Sequence, residues 1–428
     1  MLIRHTAMNL AGLGLPLLAA VVTIPLLIAG LGEARFGLLA LIWAVVGYFG
    51  LFDLGLGRAL TLHLAPALAR ADRARAGRLA GTALALLAAA GCGAGVLMVL
   101  AAGSLVALIR DLPDVGEARA ALVAMAVAMP FVVVSAGLRG VLEADHRFGV
   151  INAIRIPMGL FTFVGPLLVL TAGVAQVDTI AWVLAAGRVL ACAAHAAPAL
   201  GVLRRAGARA TVDAGALRTL AGSAGWFTVS NLVAPLMNTV DRFVIGAWLS
   251  VTAVAHYATP HEMITKLGIV PTALTAVLFP RFATQLETGD GEAGRTYRRS
   301  LWALAAVLLP VIVALTVWAE PLLAAWIDPA FARHSAPVLQ VLAWGMFATC
   351  LAALPFTVLQ SAGAVRLTAL LHLAELAPYL ALLAWATAQH GLVGAALAWS
   401  VRCAVDALLL FAFAARTLRR RPPLPVPA

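Results

Sequence analysis

Twelve ionisable side chains lie inside stretches that are otherwise apolar: Asp53, Arg58, Arg139, Arg155, Arg188, Asp241, Arg242, Glu262, Lys266, Glu375, Arg402 and Asp406. His63, His195, His256, His261 and His372 stand near them. An ionised group at bilayer depth costs about 2.5–3.5 kcal/mol on insertion scales, so each should face the protein interior or a hydrated cavity and have a partner. Seven of the twelve are cations and five are acids, which leaves positive charge that an anionic group can cover.

Spacing refines the expectation. Arg188 stands about ten residues after Asp178, and Arg402 about eleven after Gly391. At ~1.5 Å per helical residue both fall near the midplane. Asp406 follows Arg402 by four residues, on the same helix face, and can neutralise it. Cys192 occupies the corresponding place after Arg188, so that arginine must find its counter-ion on another helix, on a lipid or on a ligand. A structural ion pair and a ligand-facing role both satisfy this. Glu262 and Lys266, the chain's one lysine, form another i,i+4 pair, and Pro260 and Pro271 should bend the helix that carries them. Asp241 and Arg242 are adjacent and point about 100° apart, so Glu262 or His261 is the expected partner of Arg242. Arg58 and Arg155 lie nearer the inner face, where snorkelling to water is cheap. The histidines titrate in the right range for a proton relay, but no carboxylate stands at fixed spacing from them. There is no P-loop, HExxH, DxD or credible GxSxG, so ATP hydrolysis and common hydrolase chemistry are not expected. Cys92, Cys192, Cys350 and Cys403 show no CxxC spacing, and neither a metal site nor a disulfide framework follows. No catalytic residue and no cofactor is expected.

The elements that must hold these charges span a membrane. The chain is 63% hydrophobic and 11% charged, more apolar surface than a soluble fold of 428 residues can bury. Nineteen of the thirty Lys and Arg residues fall in every second gap between apolar segments, and four in the gaps between. Cytoplasmic loops keep such an excess, so both termini are assigned to the cytoplasm and the number of spans is even. The net charge of +11 therefore belongs to the inner membrane face, and no nucleic-acid partner is expected. The apolar stretch after Arg4 and His5 lacks a small-residue cleavage site and reads as a retained first span.

Twelve spans fit, at roughly 8–30, 36–66, 79–109, 118–142, 149–173, 178–203, 219–248, 252–280, 300–319, 335–360, 364–388 and 391–416. The expected fold is all-α and integral to the membrane, with two six-helix bundles around a central cavity. Residues 1–203 form the N-terminal bundle, 204–218 a cytoplasmic linker, 219–416 the C-terminal bundle and 417–428 a basic, proline-rich cytoplasmic tail. The halves look related: Val141-Leu142-Glu143-Ala144 recurs as Val358-Leu359-Gln360-Ser361 at an offset of 217, and the Gly30–Gly37 region overlies Trp248–Ala255 at 218. Six spans per half preserve orientation, so the repeats are parallel.

Phe36-Gly37-Leu38, Tyr48 and the run Leu51-Phe52-Asp53-Leu54-Gly55-Leu56-Gly57-Arg58-Ala59-Leu60 resemble the second helix of Wzx-type polysaccharide flippases. Asn238-Thr239-Val240-Asp241-Arg242-Phe243-Val244-Ile245-Gly246 and Tyr257 resemble that family's seventh and eighth helices. With the span count and the repeat, the likeness covers nearly the whole chain. It implies a member of the multidrug/oligosaccharidyl-lipid/polysaccharide exporter superfamily. Such a protein moves a polyprenyl-diphosphate-linked oligosaccharide across the cytoplasmic (inner) membrane by alternating access, driven by an ion gradient, for cell-surface polysaccharide such as O-antigen. Asp53, Gly55, Gly57, Arg58, Asp241, Arg242 and Tyr257 carry over from the family's motifs. His63 departs from them, standing where many relatives have a permanently charged residue. The implied partners are the lipid-linked oligosaccharide, a coupling ion (proton or sodium), membrane lipid and glycan polymerase machinery. Arg58, Arg188, Arg242, Lys266 and Arg402 are the substrate-binding candidates, since guanidinium groups shelter a diphosphate well. Asp53, Asp241, His261, Glu262, Glu375 and Asp406 are the coupling or gating candidates. Two other readings share parts of this pattern: a cation-coupled multidrug exporter, which needs unpaired cavity acids, and an oligosaccharide polymerase or ligase, which needs a large outer loop.

Overall fold

The computed structural model describes residues 2–48, 53, 55–288 and 291–419. Leu51, Phe52 and Leu54 of the second-span motif, and positions 420–428 of the tail, lie outside the described residues. Every regular element among those described is helical. In chain order they are α1 (Leu2–Leu31), α2 (Glu33–Tyr48), α3 (Leu56–Ala69), α4 (Arg73–Ala107), α5 (Val115–Ala144), α6 (Phe148–Thr171), α7 (Val177–Arg205), α8 (Ala214–Trp248), α9 (Val251–Thr265), α10 (Ile269–Thr288), α11 (Glu292–Val317), α12 (Ala319–Trp326), α13 (Pro329–Ser361) and α14 (Val365–Arg419).

Eight helical runs among the described residues are long and apolar enough to cross a bilayer. Their outward faces carry Leu97, Leu100, Leu190, Val277, Trp302 and Leu408 largely exposed, which only a lipid environment accommodates over such an area. The fold is that of a multi-pass membrane protein. α14 is 55 residues long, and as one straight rod it would run about 80 Å, far beyond a bilayer. It breaks at Gly391, whose φ of 58° and ψ of −135° suit glycine alone. Past the break the chain doubles back, because a Cβ on Gly394 would overlap the carbonyl oxygen of Ala386.

Helix ends are fixed by aspartates. Asp72 accepts from Arg75 N–H (3.0 Å), Asp114 from Glu117 N–H (3.0 Å), and Asp213 from Ala216 N–H (2.8 Å). Asp328 accepts from Ala330 N–H (2.7 Å) and Phe331 N–H (2.9 Å), with Pro329 at the first helical position. Each cap satisfies donors that no helix can satisfy internally.

Packing divides the chain into two units, Met1–Thr239 with Ser250–Ala255, and Val240–Leu249 with His256–Ala428. In the first, α5 is the hub, packed by α3, α4 and α7. Small residues let the backbones approach: Gly91 and Gly95 of α4 face Pro130 and Ala126 of α5, and Gly57 of α3 faces Ala136 and Gly140. Thr61 Oγ1 seals that crossing, within reach of Gly57 O (3.1 Å), Gly140 O (3.2 Å) and Glu143 Oε2 (3.2 Å). Glu117 ties three elements, pairing with Arg35 of α2 at 3.1 Å and accepting from the N–H of Val177 at the start of α7. The segment after α7 lies along α4: Thr211 N–H donates to Gly77 O (3.3 Å) and Asp213 N–H to Thr82 Oγ1 (2.9 Å). Gly77 and Gly81 leave the room, since a Cβ on Gly81 would meet Thr211 O at 2.6 Å.

In the second unit the hub is α13, packed by α10, α11, α12 and the folded α14. The hubs occupy corresponding places in the repeat. α5 ends at Ala144 and α13 at Ser361, 217 positions apart, and the next helices begin at Phe148 and Val365, again 217 apart.

Two of the expected spans are each carried by two helices. The second divides into α2 and α3, and α3 begins after Gly55, whose φ is 70° and whose N–H donates to Asp53 Oδ1 at 2.8 Å. The eighth divides at a 3-10 turn over Lys266–Gly268. Pro271 has no N–H to offer the carbonyl of Leu267 and its ring crowds that carbonyl, so the ladder loosens one turn before the proline. The 3-10 turn lies between the two prolines from which a bend was expected, one turn before Pro271.

Candidate functional site

Three clusters of charge emerge, and their internal bookkeeping differs. The first lies in the first unit, where α5, α6 and α7 enclose a cavity of about 140 Å³. Arg139, Arg155, Arg188, Ser135 and His195 line it together with apolar side chains. Arg139 and Arg155 are exposed and Arg188 is half-buried. Arg188 Nη2 donates a long hydrogen bond to Thr162 Oγ1 (3.4 Å), and His195 Nδ1 lies 2.7 Å from Ala191 O. None of the three arginines is in an ion pair among the described residues, and Asp53 acts on Arg139 only at longer range, so the cavity carries surplus positive charge.

The helices stack these groups by depth. Arg139 is five residues from the end of α5 and Arg155 seven from the start of α6, whereas Arg188 is seventeen from the end of α7. At ~1.5 Å per residue that is about 8, 10 and 25 Å from those helix ends. A ladder of guanidinium groups therefore rises from one surface toward the midplane. Arg58, exposed on α3, and Arg139 both act electrostatically on the half-buried Asp53 near the same end.

The second cluster, in the second unit, is closed. Arg242 is 4% exposed, and its Nη2 donates to Glu262 Oε1 (2.8 Å) and to His261 Nδ1 (3.3 Å). Glu262 turns its other oxygen to Lys266 Nζ at 3.0 Å. Asp241, fully buried, accepts from Tyr257 OH at 2.5 Å and from Arg242 N–H at 2.8 Å. His261 stacks on Tyr257 (5.7 Å between centroids) and meets Trp399 edge-on (5.1 Å). Two acids and two bases balance here, so Arg242 and Lys266 have protein partners, and His261 or Glu262 as the partner of Arg242 becomes both. An arginine can only donate, so His261 Nδ1 is the acceptor.

The third cluster lies on the two arms of α14. Arg402 sits over the rings of Tyr379 (5.5 Å) and Trp399 (6.0 Å), and its Nη2 is 3.2 Å from Cys403 Sγ. Asp406 Oδ1 pairs with His372 Nε2 at 3.4 Å. The doubled-back arm brings His372 to Asp406, which also acts electrostatically on Arg402 as the i,i+4 spacing expects. Glu375, Tyr379 and Arg402 edge a mainly apolar cavity of about 290 Å³.

The geometry thus separates residues that composition grouped together. Arg188 stands open, Arg242 and Lys266 are held in a neutral network, and Arg402 is held against aromatic faces. Of the substrate candidates, Arg188 alone has Arg139 and Arg155 beside it. Both were visible as charges inside apolar segments. The usable signal was their similar distance from the adjoining ends of consecutive helices, α5 and α6.

Comparison with known proteins agrees with this fold. A family model described as polysaccharide biosynthesis protein matches residues 31–327. A Shigella flexneri protein named "Putative O-antigen transporter" is 31% identical over 419 residues, covering 96% of each chain. Among solved structures, an inward-facing multidrug resistance MATE family transporter of the MOP superfamily superposes with a TM-score of 0.80 at 15% identity, over 96% of this chain and 98% of that one. A MOP superfamily transporter from Pyrococcus furiosus, whose binding pocket is described as reversed in polarity, gives 0.66 at 16% identity over 97% and 95%. At such identities the structures establish the fold alone. The sequence matches go further: this chain is a multi-pass membrane transporter, not an enzyme, and it belongs to the polysaccharide biosynthesis protein family.

Proposed function

We propose that this protein carries an anionic, polyprenyl-diphosphate-linked oligosaccharide across the cytoplasmic membrane, for assembly of a cell-surface polysaccharide such as O-antigen. One observation carries the reading: Arg139, Arg155 and Arg188 line a single cavity with no carboxylate paired to any of them among the described residues. A diphosphate loses its hydration on entering a low-dielectric slab, and fixed guanidinium forks replace that water with charge-assisted hydrogen bonds. Their graded depth lets the headgroup pass from one arginine to the next while the polyprenyl tail stays in lipid. The name of the Shigella flexneri relative points to the same class of cargo.

The halves 1–203 and 219–416, joined by 204–218, would open alternately to the two sides, with both termini in the cytoplasm. An ion gradient supplies the drive, proton or sodium, and the acids Asp53, Glu375 and Asp406 are the groups assigned to sense it. Asp241 and Glu262, bound to Tyr257 and Arg242, hold the second unit in shape. An export role for cationic drugs is the poorer fit, because the open cavity is lined by positive charge.

Reconstitution tests this reading. Purified protein in vesicles bearing a fluorescent lipid-linked oligosaccharide should move label to the opposite leaflet with no covalent change, and an imposed ion gradient should bias the direction. Polymer growth, or movement of a cationic drug in place of the glycolipid, would overturn it.

A further inference from the structure

A polar-rimmed cavity of about 420 Å³ in the second unit lies between α10 and α11 and takes no part in the proposed transfer. Arg281 of α10 and Arg295 and Arg299 of α11 form its rim, with Thr296 and Ser300 each next to one of the arginines of α11. Arg295 and Arg299 are four residues apart and share a helix face. Glu292 is the one carboxylate of the lining among the described residues; it sits 4.0 Å from Arg295 and accepts from Gln285 Nε2 at 3.3 Å. The rim keeps about two surplus positive charges. The floor is apolar, made by Leu274, Leu278 and Ala303. Leu274 precedes Arg281 by seven residues, so the apolar end lies ~10 Å along α10 from the guanidinium groups.

Two further observations place the rim at headgroup depth. Four arginines, 281, 295, 298 and 299, fall in one of the cation-rich gaps. Trp302, 74% exposed one turn past Arg298, is an interfacial aromatic, the kind of residue that sits where headgroups meet acyl chains. A cationic rim at headgroup level and an apolar trough running toward acyl depth match the two ends of one molecule. We propose that this cavity binds an anionic phospholipid of the leaflet it faces, its phosphate held by Arg281, Arg295 and Arg299 and one acyl chain laid over Leu274 and Leu278. Basic pockets of this kind between helices on the positive side of a membrane protein recognise lipid phosphate through charge-assisted contacts. The volume falls in the range of ordinary small-molecule sites.

Detergent-purified full-length protein would be titrated with fluorescent phosphatidylglycerol and, separately, with fluorescent phosphatidylcholine. Wild type should prefer phosphatidylglycerol, and the triple variant R281Q/R295Q/R299Q should lose about a hundredfold in that affinity, each basic group contributing about fivefold. The three arginines are exposed, so melting temperature should hold. A second variant, L274Q, should weaken binding with the rim intact. R188Q should bind phosphatidylglycerol as wild type does, which keeps this site separate from the proposed substrate path. Undiminished binding by the triple variant would overturn the proposal. So would displacement of phosphatidylglycerol by a short polyprenyl diphosphate in wild type, which would make the cavity a port for the transported lipid.

Discussion

Replacing Arg188 with leucine should leave the protein at least as stable and still cripple transport. Arg188 lies near the middle of α7 and has only a 3.4 Å contact with Thr162, with no ion pair among the described residues. On insertion scales an arginine at the centre of a span is about 3 kcal/mol less favourable than leucine. The lining cavity hydrates it in part and reduces that difference, so the gain expected for R188L lies between zero and about 3 kcal/mol. Its contribution to substrate is a charge-assisted hydrogen bond to phosphate, worth about 1.5–3 kcal/mol, so transfer should fall roughly 10- to 150-fold. R188K keeps the charge without the fork and should fall between. The assay pairs a melting curve of detergent-purified protein with the initial rate of leaflet transfer per folded molecule. A lowered melting temperature with an unchanged rate per folded molecule would refute the reasoning, because Arg188 would then be a strut between α7 and α6.

Further outcomes follow from the same geometry. E262Q leaves Arg242 buried without its carboxylate partner and should cost about 3–5 kcal/mol, while the apolar double variant R242M/E262L should recover most of that; fluorescence-detected size exclusion after heating reads both. Gly57→Val should force α3 away from α5, since a Cβ there already meets Ala136 O at 3.0 Å, and a cost of about 1–3 kcal/mol should appear as reduced membrane abundance on an immunoblot. Asp328→Ala should lose about 1 kcal/mol by removing two capping bonds to the start of α13, with Asp328→Asn nearly neutral, measured by the shift in melting temperature.

Much of the fold was legible because bilayer thickness is a ruler. The apolar run from 364 to 416 is too long for one crossing, and a break near Gly391 follows from length and glycine together. The pairing of Arg242 with Glu262 and His261 was legible from cost: adjacent charges on one helix cannot cancel, and the nearest other groups lie on the next helix. That the second span, 36–66, is long enough to kink was legible, but not that α3 starts after a left-handed Gly55 whose N–H donates to Asp53, because hydropathy is continuous there. Nor was α12, eight residues that fall almost wholly in the gap between the expected spans 300–319 and 335–360. The site was harder still. Helical period says which residues share a face, but the meeting of Arg139, Arg155 and Arg188 depends on how three helices rotate about their axes, which small-residue contacts decide.

The strap that follows α7 has a practical consequence. Because positions 209–213 lie in a bed cut by Gly77 and Gly81, an epitope spliced there would have to be levered out of α4's surface. Charge and polarity alone advertise that stretch as a safe place for a tag, yet its backbone is stitched to α4 at Gly77 and Thr82.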